Sequence, residues 1–115
     1  MAINNAHAAR LDRAFSALAD PTRRAILARL ASGEATVSEL MTPFELAQPT
    51  ISKHLKVLEN AGLIERGRDA QRRPRKLVAA AFQDVADCIA QFRRQWEGRF
   101  NNLDVHLSRM KKKEK

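Results

Sequence analysis

The sequence predicts a mainly α fold with one small β-hairpin, in the order α-α-α-α-β-β-α, on three observations. Apolar residues recur at steps of three and four in several N-terminal segments and again over a long C-terminal stretch. Two short apolar runs flank a polar, arginine-rich loop containing Gly67 and Pro74, as a hairpin requires. Gly33 and Gly62 stand where helical patterns stop. With 115 residues and 44% apolar content, the chain is long enough for one compact core and too short for two ordinary domains. A single domain over residues 1–115 is therefore expected.

The elements follow in order. Leu11, Phe15, Leu18 and Ala19 share helical spacing and place a first helix from His7 to Ala19. In "ADPTRRAILARLASGEA", Asp20 can cap, Pro21 suits the first helical position, and Ile26, Leu27 and Leu30 form the stripe, so the second helix runs from Pro21 to Ser32. In "TVSELM", Thr36 and Glu39 have capping-box spacing, while Pro43 disfavours helix at Thr42 and is expected to interrupt this short third helix.

The fourth helix, in "AQPTISKHLKVLENAGLI", is amphipathic in an unusual way. At about 100° per residue from Ile51, Leu55 falls near 40° and Leu58 near 340°, so these three share an apolar face. Pro49, Ser52, Lys53 and Lys56 lie opposite, flanked by Gln48 and Thr50, with no carboxylate before Glu59. An ordinary solvated face mixes both signs of charge; this one suits an anion-rich groove. Gln48 has the paired hydrogen-bonding groups to read adenine, Thr50 and Ser52 are less discriminating, and the lysines suit phosphate. His54, at the edge of the apolar stripe, reads equally as a packing histidine and as a phosphate contact.

The net charge of +8 points the same way because it is local. Residues 65 to 76 carry a net +4 and the last six residues another +3, leaving the other 97 nearly neutral. The first of these segments is the hairpin, with strands at Leu63 to Arg66 and Lys76 to Ala79. Its arginines, among them Arg68, Arg72, Arg73 and Arg75, could follow a phosphate backbone or enter a minor groove.

From Phe82 to Met110 the apolar residues Phe82, Val85, Ile89, Phe92, Trp96, Phe100, Leu103, Leu107 and Met110 recur at steps of three or four. A helix of 29 residues would be about 43 Å long, more than a small monomeric domain needs, and its stripe calls for a partner, most simply a second copy. Cys88, the single cysteine, cannot make an intramolecular disulfide and reads as a packing residue. The N-terminus lacks the apolar run of a signal peptide, and no run approaches the roughly 18 residues that cross a bilayer. A cytoplasmic protein with no membrane partner is expected.

With its phrases "FSALADPTRRAILARL" (Phe15 to Leu30) and "QPTISKHLKVLENAGLIERGRDAQRRPRKL" (Gln48 to Leu77), the chain resembles the ArsR/SmtB family of bacterial repressors over about Leu11 to Leu107. The resemblance implies a winged helix-turn-helix: the fourth helix in the major groove, the hairpin as a wing, and a homodimer built from the first and last helices. DNA contacts would be Gln48, Thr50, Ser52, Lys53 and His54 on the helix and Arg68, Arg72, Arg73 and Arg75 on the wing, joined by Lys56 from the polar face. The dimer interface would draw on Leu11, Phe15, Ile89, Phe92, Trp96, Phe100, Leu103 and Leu107. Ala47 departs from the pattern, standing where many relatives have a capping serine.

Family members include metal sensors, but the ligands such sensors use are incomplete here. "TVSELM" holds none of the paired cysteines of a thiolate site, and Asp104 and His106 supply only half of a zinc site on the last helix. No metal or other cofactor is expected. Double-stranded DNA carrying an inverted repeat is the expected partner, and operator occupancy by a repressor the expected mode of action. The alternative is a winged-helix module that binds protein. No nucleophile–His–acid set or glycine-rich phosphate loop favours an enzyme.

Overall fold

A computed structural model describes residues 5–68 and 71–113, and their side chains apart from those of 100–105, 108 and 111–113. The elements are α1 (Asn5–Leu18), α2 (Pro21–Ala31), α3 (Val37–Phe44), α4 (Gln48–Asn60), β1 (Ile64–Arg66), β2 (Arg75–Leu77) and α5 (Ala79–Lys113). The order is the one expected. The chain divides into two compact units, the first ending at Val85 and the second beginning at Ala86.

Local chemistry explains most boundaries in the first unit. Asp20 caps α2, its carboxylate accepting the Arg23 backbone N–H at 2.9 Å, and Pro21 follows in the first turn. Thr36 and Glu39 form the full capping box at the start of α3, with both reciprocal bonds at 3.2 Å. At the end of α4, Gly62 takes φ +76, its N–H reaches Glu59 O, and the Leu63 N–H reaches Leu58 O at 3.1 Å. This six-to-one closure brings Leu58 and Leu63, both 0% exposed, into one apolar contact at the turn.

Four expectations are corrected. The third helix runs through Pro43 to Phe44 instead of breaking at Thr42. Pro43 sits in the last turn, so the hydrogen bond its ring forfeits is one of the last, and Glu45 closes the helix at φ 53 with Leu46 N–H on Met41 O. The second strand is Arg75–Leu77 rather than Lys76 to Ala79, because antiparallel pairing matches Ile64 with Leu77 and Arg66 with Arg75, and Val78 N–H then bonds Leu63 O. The strong helix formers Ala79, Ala80 and Ala81 consequently open α5, ahead of the expected Phe82. α1 begins at Asn5, two residues before the expected start.

The core of the first unit gathers Ala14 and Ala17 of α1, Ile26, Leu27 and Leu30 of α2, Leu40 of α3, Ile51, Leu55 and Leu58 of α4, Leu63, Ile64 and Val85. The three α4 residues are the ones helical periodicity aligned, and they bury one face of that helix completely. Its opposite face is thereby held outward.

Candidate nucleic-acid interface

α4 is fixed from behind and open in front. Ile51, Leu55 and Leu58 are at most 1% exposed, whereas Gln48, Pro49, Thr50, Ser52, Lys53 and Lys56 are all exposed. Pro49, Thr50, Ser52, Lys53, His54 and Lys56 line an open groove of about 520 Å³ on this outer face. Ala47 takes an extended conformation at the helix start and makes no side-chain cap; its carbonyl accepts the Thr50 and Ile51 N–H groups at 3.1 Å each.

His54 is half-buried, between the two faces. Nearby, the carboxyl of Asp20 is held below the usual carboxylate range chiefly by the Arg23 backbone N–H, which outweighs its desolvation.

The wing lies against the C-terminal end of the same helix. Arg68, Arg72 and Arg73 are exposed, and Arg73 holds a left-handed backbone at φ 44 as the turn re-enters β2. Gly67 N–H closes the turn on Pro74 O at 2.6 Å. An added Cβ at Gly67 would come within 2.9 Å of the Pro74 ring, so the two strands approach here as only glycine permits. Between the wing and α3, Thr36, Val37, Ser38, Glu39, Gln71 and Arg72 line a second open cleft of about 360 Å³.

Arg75 departs from the expectation. Read from sequence as a wing contact, it is 8% exposed and turned inward, its Nε donating to Glu59 Oε1 at 2.8 Å. Alternation along β2 accounts for this: Arg75 faces the protein, and Lys76, the next residue, faces solvent beside Glu65. Arg75 is therefore removed from the phosphate-facing set. Glu59 went unrecognised as its partner, although a signal existed: it is the lone carboxylate of α4 and sits in the last turn, where the helix dipole disfavours it unless a cation answers.

Other arginines are committed to carbonyls. Arg23 donates to Ala17 O at 2.8 Å and to Ser16 O at 3.2 Å, Arg24 to Leu18 O at 2.8 Å, and Arg29 to Gly33 O at 3.0 Å. They close the ends of α1 and α2.

Of the expected interface residues, Leu11 is half-buried against the core and Phe15 is 38% exposed on α1. In the second unit Ile89, Phe92 and Trp96 are 52%, 60% and 63% exposed, and Leu107 is exposed as well. The side chains of Phe100, Leu103 and Asp104 lie outside the described residues. The chain has one cysteine and three histidines, and no three His, Cys, Asp or Glu side chains converge among the described residues, which leave out the side chain of Asp104. No helix among the described residues is long and apolar enough to cross a membrane.

Comparison with known proteins places this geometry. Residues 20–66 match the family model described as bacterial regulatory protein, arsR family. The chain is 53% identical over 53 residues to the HTH-type transcriptional regulator Rv2034 of Mycobacterium tuberculosis, a match spanning 46% of this chain and 50% of that one. It is 33% identical over 82 residues to the transcriptional repressor SdpR of Bacillus subtilis, covering 71% of this chain and 91% of SdpR.

The chain belongs to the ArsR family.

Solved ArsR-like structures agree in fold. A crystal structure of the ArsR family transcriptional regulator RHA00566 superposes with a TM-score of 0.69 at 42% identity, covering 76% of this chain and 97% of that one. The homodimeric winged helix-turn-helix DNA-binding domain of Mb0332 from Mycobacterium bovis gives 0.61 at 29% identity, covering 83% and 85%. Within the ArsR family, then, this chain has the winged helix-turn-helix architecture, with α3 and α4 as the helix-turn-helix and β1–β2 as the wing.

Proposed function

We propose that this ArsR-family chain is a homodimeric, sequence-specific DNA-binding repressor that occupies an inverted-repeat operator and does not sense a metal directly. One observation carries the reading: the exposed face of α4 presents Gln48, Thr50, Ser52, Lys53 and Lys56 without a carboxylate, beside a wing that exposes Arg68, Arg72 and Arg73. Polar groups that can address base edges are thus flanked by cations that can hold phosphate. Two α4 copies related by a two-fold axis would enter successive major grooves about 34–36 Å apart.

Dimer formation is supported by the exposed apolar residues Ile89, Phe92 and Trp96 and by the homodimeric state of the similar Mb0332 domain. The α5 segment is on this reading a dimerisation element of a single-domain protein. The donor inventory supports independence from metal. Repression is the role of the similar SdpR, and a cytoplasmic location follows from a DNA target.

Selection of bound duplexes from a random library, with and without Zn(II), tests the proposal. An enriched inverted repeat indifferent to metal is expected. Absence of enrichment at low salt would replace DNA by a protein partner, and release by Zn(II) would overturn the metal-independent part. Lys53→Glu with Arg72→Glu should abolish duplex binding, whereas a protein-binding module need not respond.

A further inference from the structure

Arg75 occupies a crossing point. Its Nε donates to Glu59 Oε1 in the last turn of α4 at 2.8 Å, and its Nη1 donates to the backbone carbonyl of Arg73 in the wing. Its own backbone exchanges two hydrogen bonds with Ala35, at 2.8 and 3.1 Å, one residue ahead of the Thr36 cap of α3. From the paired strand, Arg66 Nε reaches the same Glu59 oxygen at 3.3 Å. One residue thus joins α4, the wing and the start of α3.

A hairpin of two three-residue strands has little capacity to set its own position. The guanidinium does so geometrically: its donors lie in a rigid plane, so satisfying Glu59 and the Arg73 carbonyl together fixes the angle between α4 and the wing turn. A lysine, with donors on a flexible stem, cannot impose that angle.

We infer that Arg75, held by Glu59, is a positioning residue for DNA binding: it sets the wing so that Arg68, Arg72 and Arg73 meet phosphate while α4 lies in the groove. This rests on the DNA-binding reading above. Fixing the wing in advance removes an ordering cost from association. Arg75 itself touches no DNA, and its charge is spent inside the protein.

The experiment compares wild type with Arg75→Lys and with the milder Glu59→Gln. Anisotropy of a labelled selected operator is measured across a KCl series, and hydrogen exchange of the Ala35 and Gly67 amides is measured without DNA. Both variants should keep the wild-type far-UV spectrum, exchange these amides faster, and bind about tenfold more weakly at moderate salt. Their log–log salt slope should shrink by about one to two, at about 0.9 per phosphate lost, with base preference under α4 unchanged.

A wild-type slope in both variants would overturn the inference, as would wild-type exchange at Ala35 and Gly67 accompanied only by a lower Tm. If wild type binds no duplex, the DNA-binding reading itself fails and the positioning role fails with it. That case is told apart by wild type's own lack of binding.

Discussion

Asp20 and Arg23 close two helix ends through one exchange: Asp20 Oδ2 accepts the Arg23 backbone N–H at 2.9 Å, while the Arg23 side chain donates to Ala17 O at 2.8 Å. The first bond caps α2 and the second satisfies a terminal carbonyl of α1. Because the backbone N–H favours the ionised carboxyl, Asp20 titrates below its ordinary range. Its stabilisation is therefore whole above the ordinary pKa of about 4 and disappears as pH falls through the lowered native value. Asp20→Ala should lower Tm by about 5 °C at neutral pH. That gap should narrow in melts taken from about pH 5 down to pH 2, and a gap independent of pH would rule out the carboxylate as its source.

Gly62 ends α4 at φ +76, and an added Cβ would meet nothing within 4 Å. Replacement is therefore resisted by backbone conformation rather than by crowding. Gly62→Ala should destabilise by about 1 kcal/mol, read as a lower urea midpoint with an unchanged m-value.

Leu55 is 1% exposed, while its neighbours Lys53 and Lys56 are on the open face of the same helix. Leu55→Ala should cost about 2–5 kcal/mol in stability. Lys53→Ala and Lys56→Ala should change stability by no more than about 0.5 kcal/mol. Each should instead reduce the salt slope of operator binding by about one. Chemical denaturation and binding titrations on the three variants separate the two faces.

Phe92 and Trp96 are 60% and 63% exposed in the second unit, large apolar surfaces for a protein in water. Phe92→Asp with Trp96→Asp should shift sedimentation from dimer to monomer and weaken operator binding together. The helical signal and melting of the first unit should persist. A fully dimeric double variant would exclude these residues from the interface.

Where a structural feature depends on residues three or four apart, it is legible in the chain. The capping box of Thr36 and Glu39, the Asp20–Pro21 start of α2 and the Ile51, Leu55 and Leu58 stripe all close within one or two helical turns. The stripe also dictates the outward face, since burying one side of a helix exposes the other. The outward position of Gln48, Thr50, Ser52, Lys53 and Lys56 on α4 is therefore legible in the chain as well.

Residue type alone assigned Arg75 to the wing surface because arginine in a basic loop is usually solvated. Its inward turn depends on strand register and on Glu59, 16 residues earlier. Pro43 inside α3 likewise depends on Leu40, Met41 and Phe44 finding a core to pack against. By itself the sequence determined the order of the helices, the N-caps of α2 and α3, the polar face of α4 and the basic character of the wing, through short-range sterics and periodicity. Only the tertiary structure decided which arginine is internal and how the wing is tied to α4, because those outcomes depend on groups distant in the chain that meet after the core has formed.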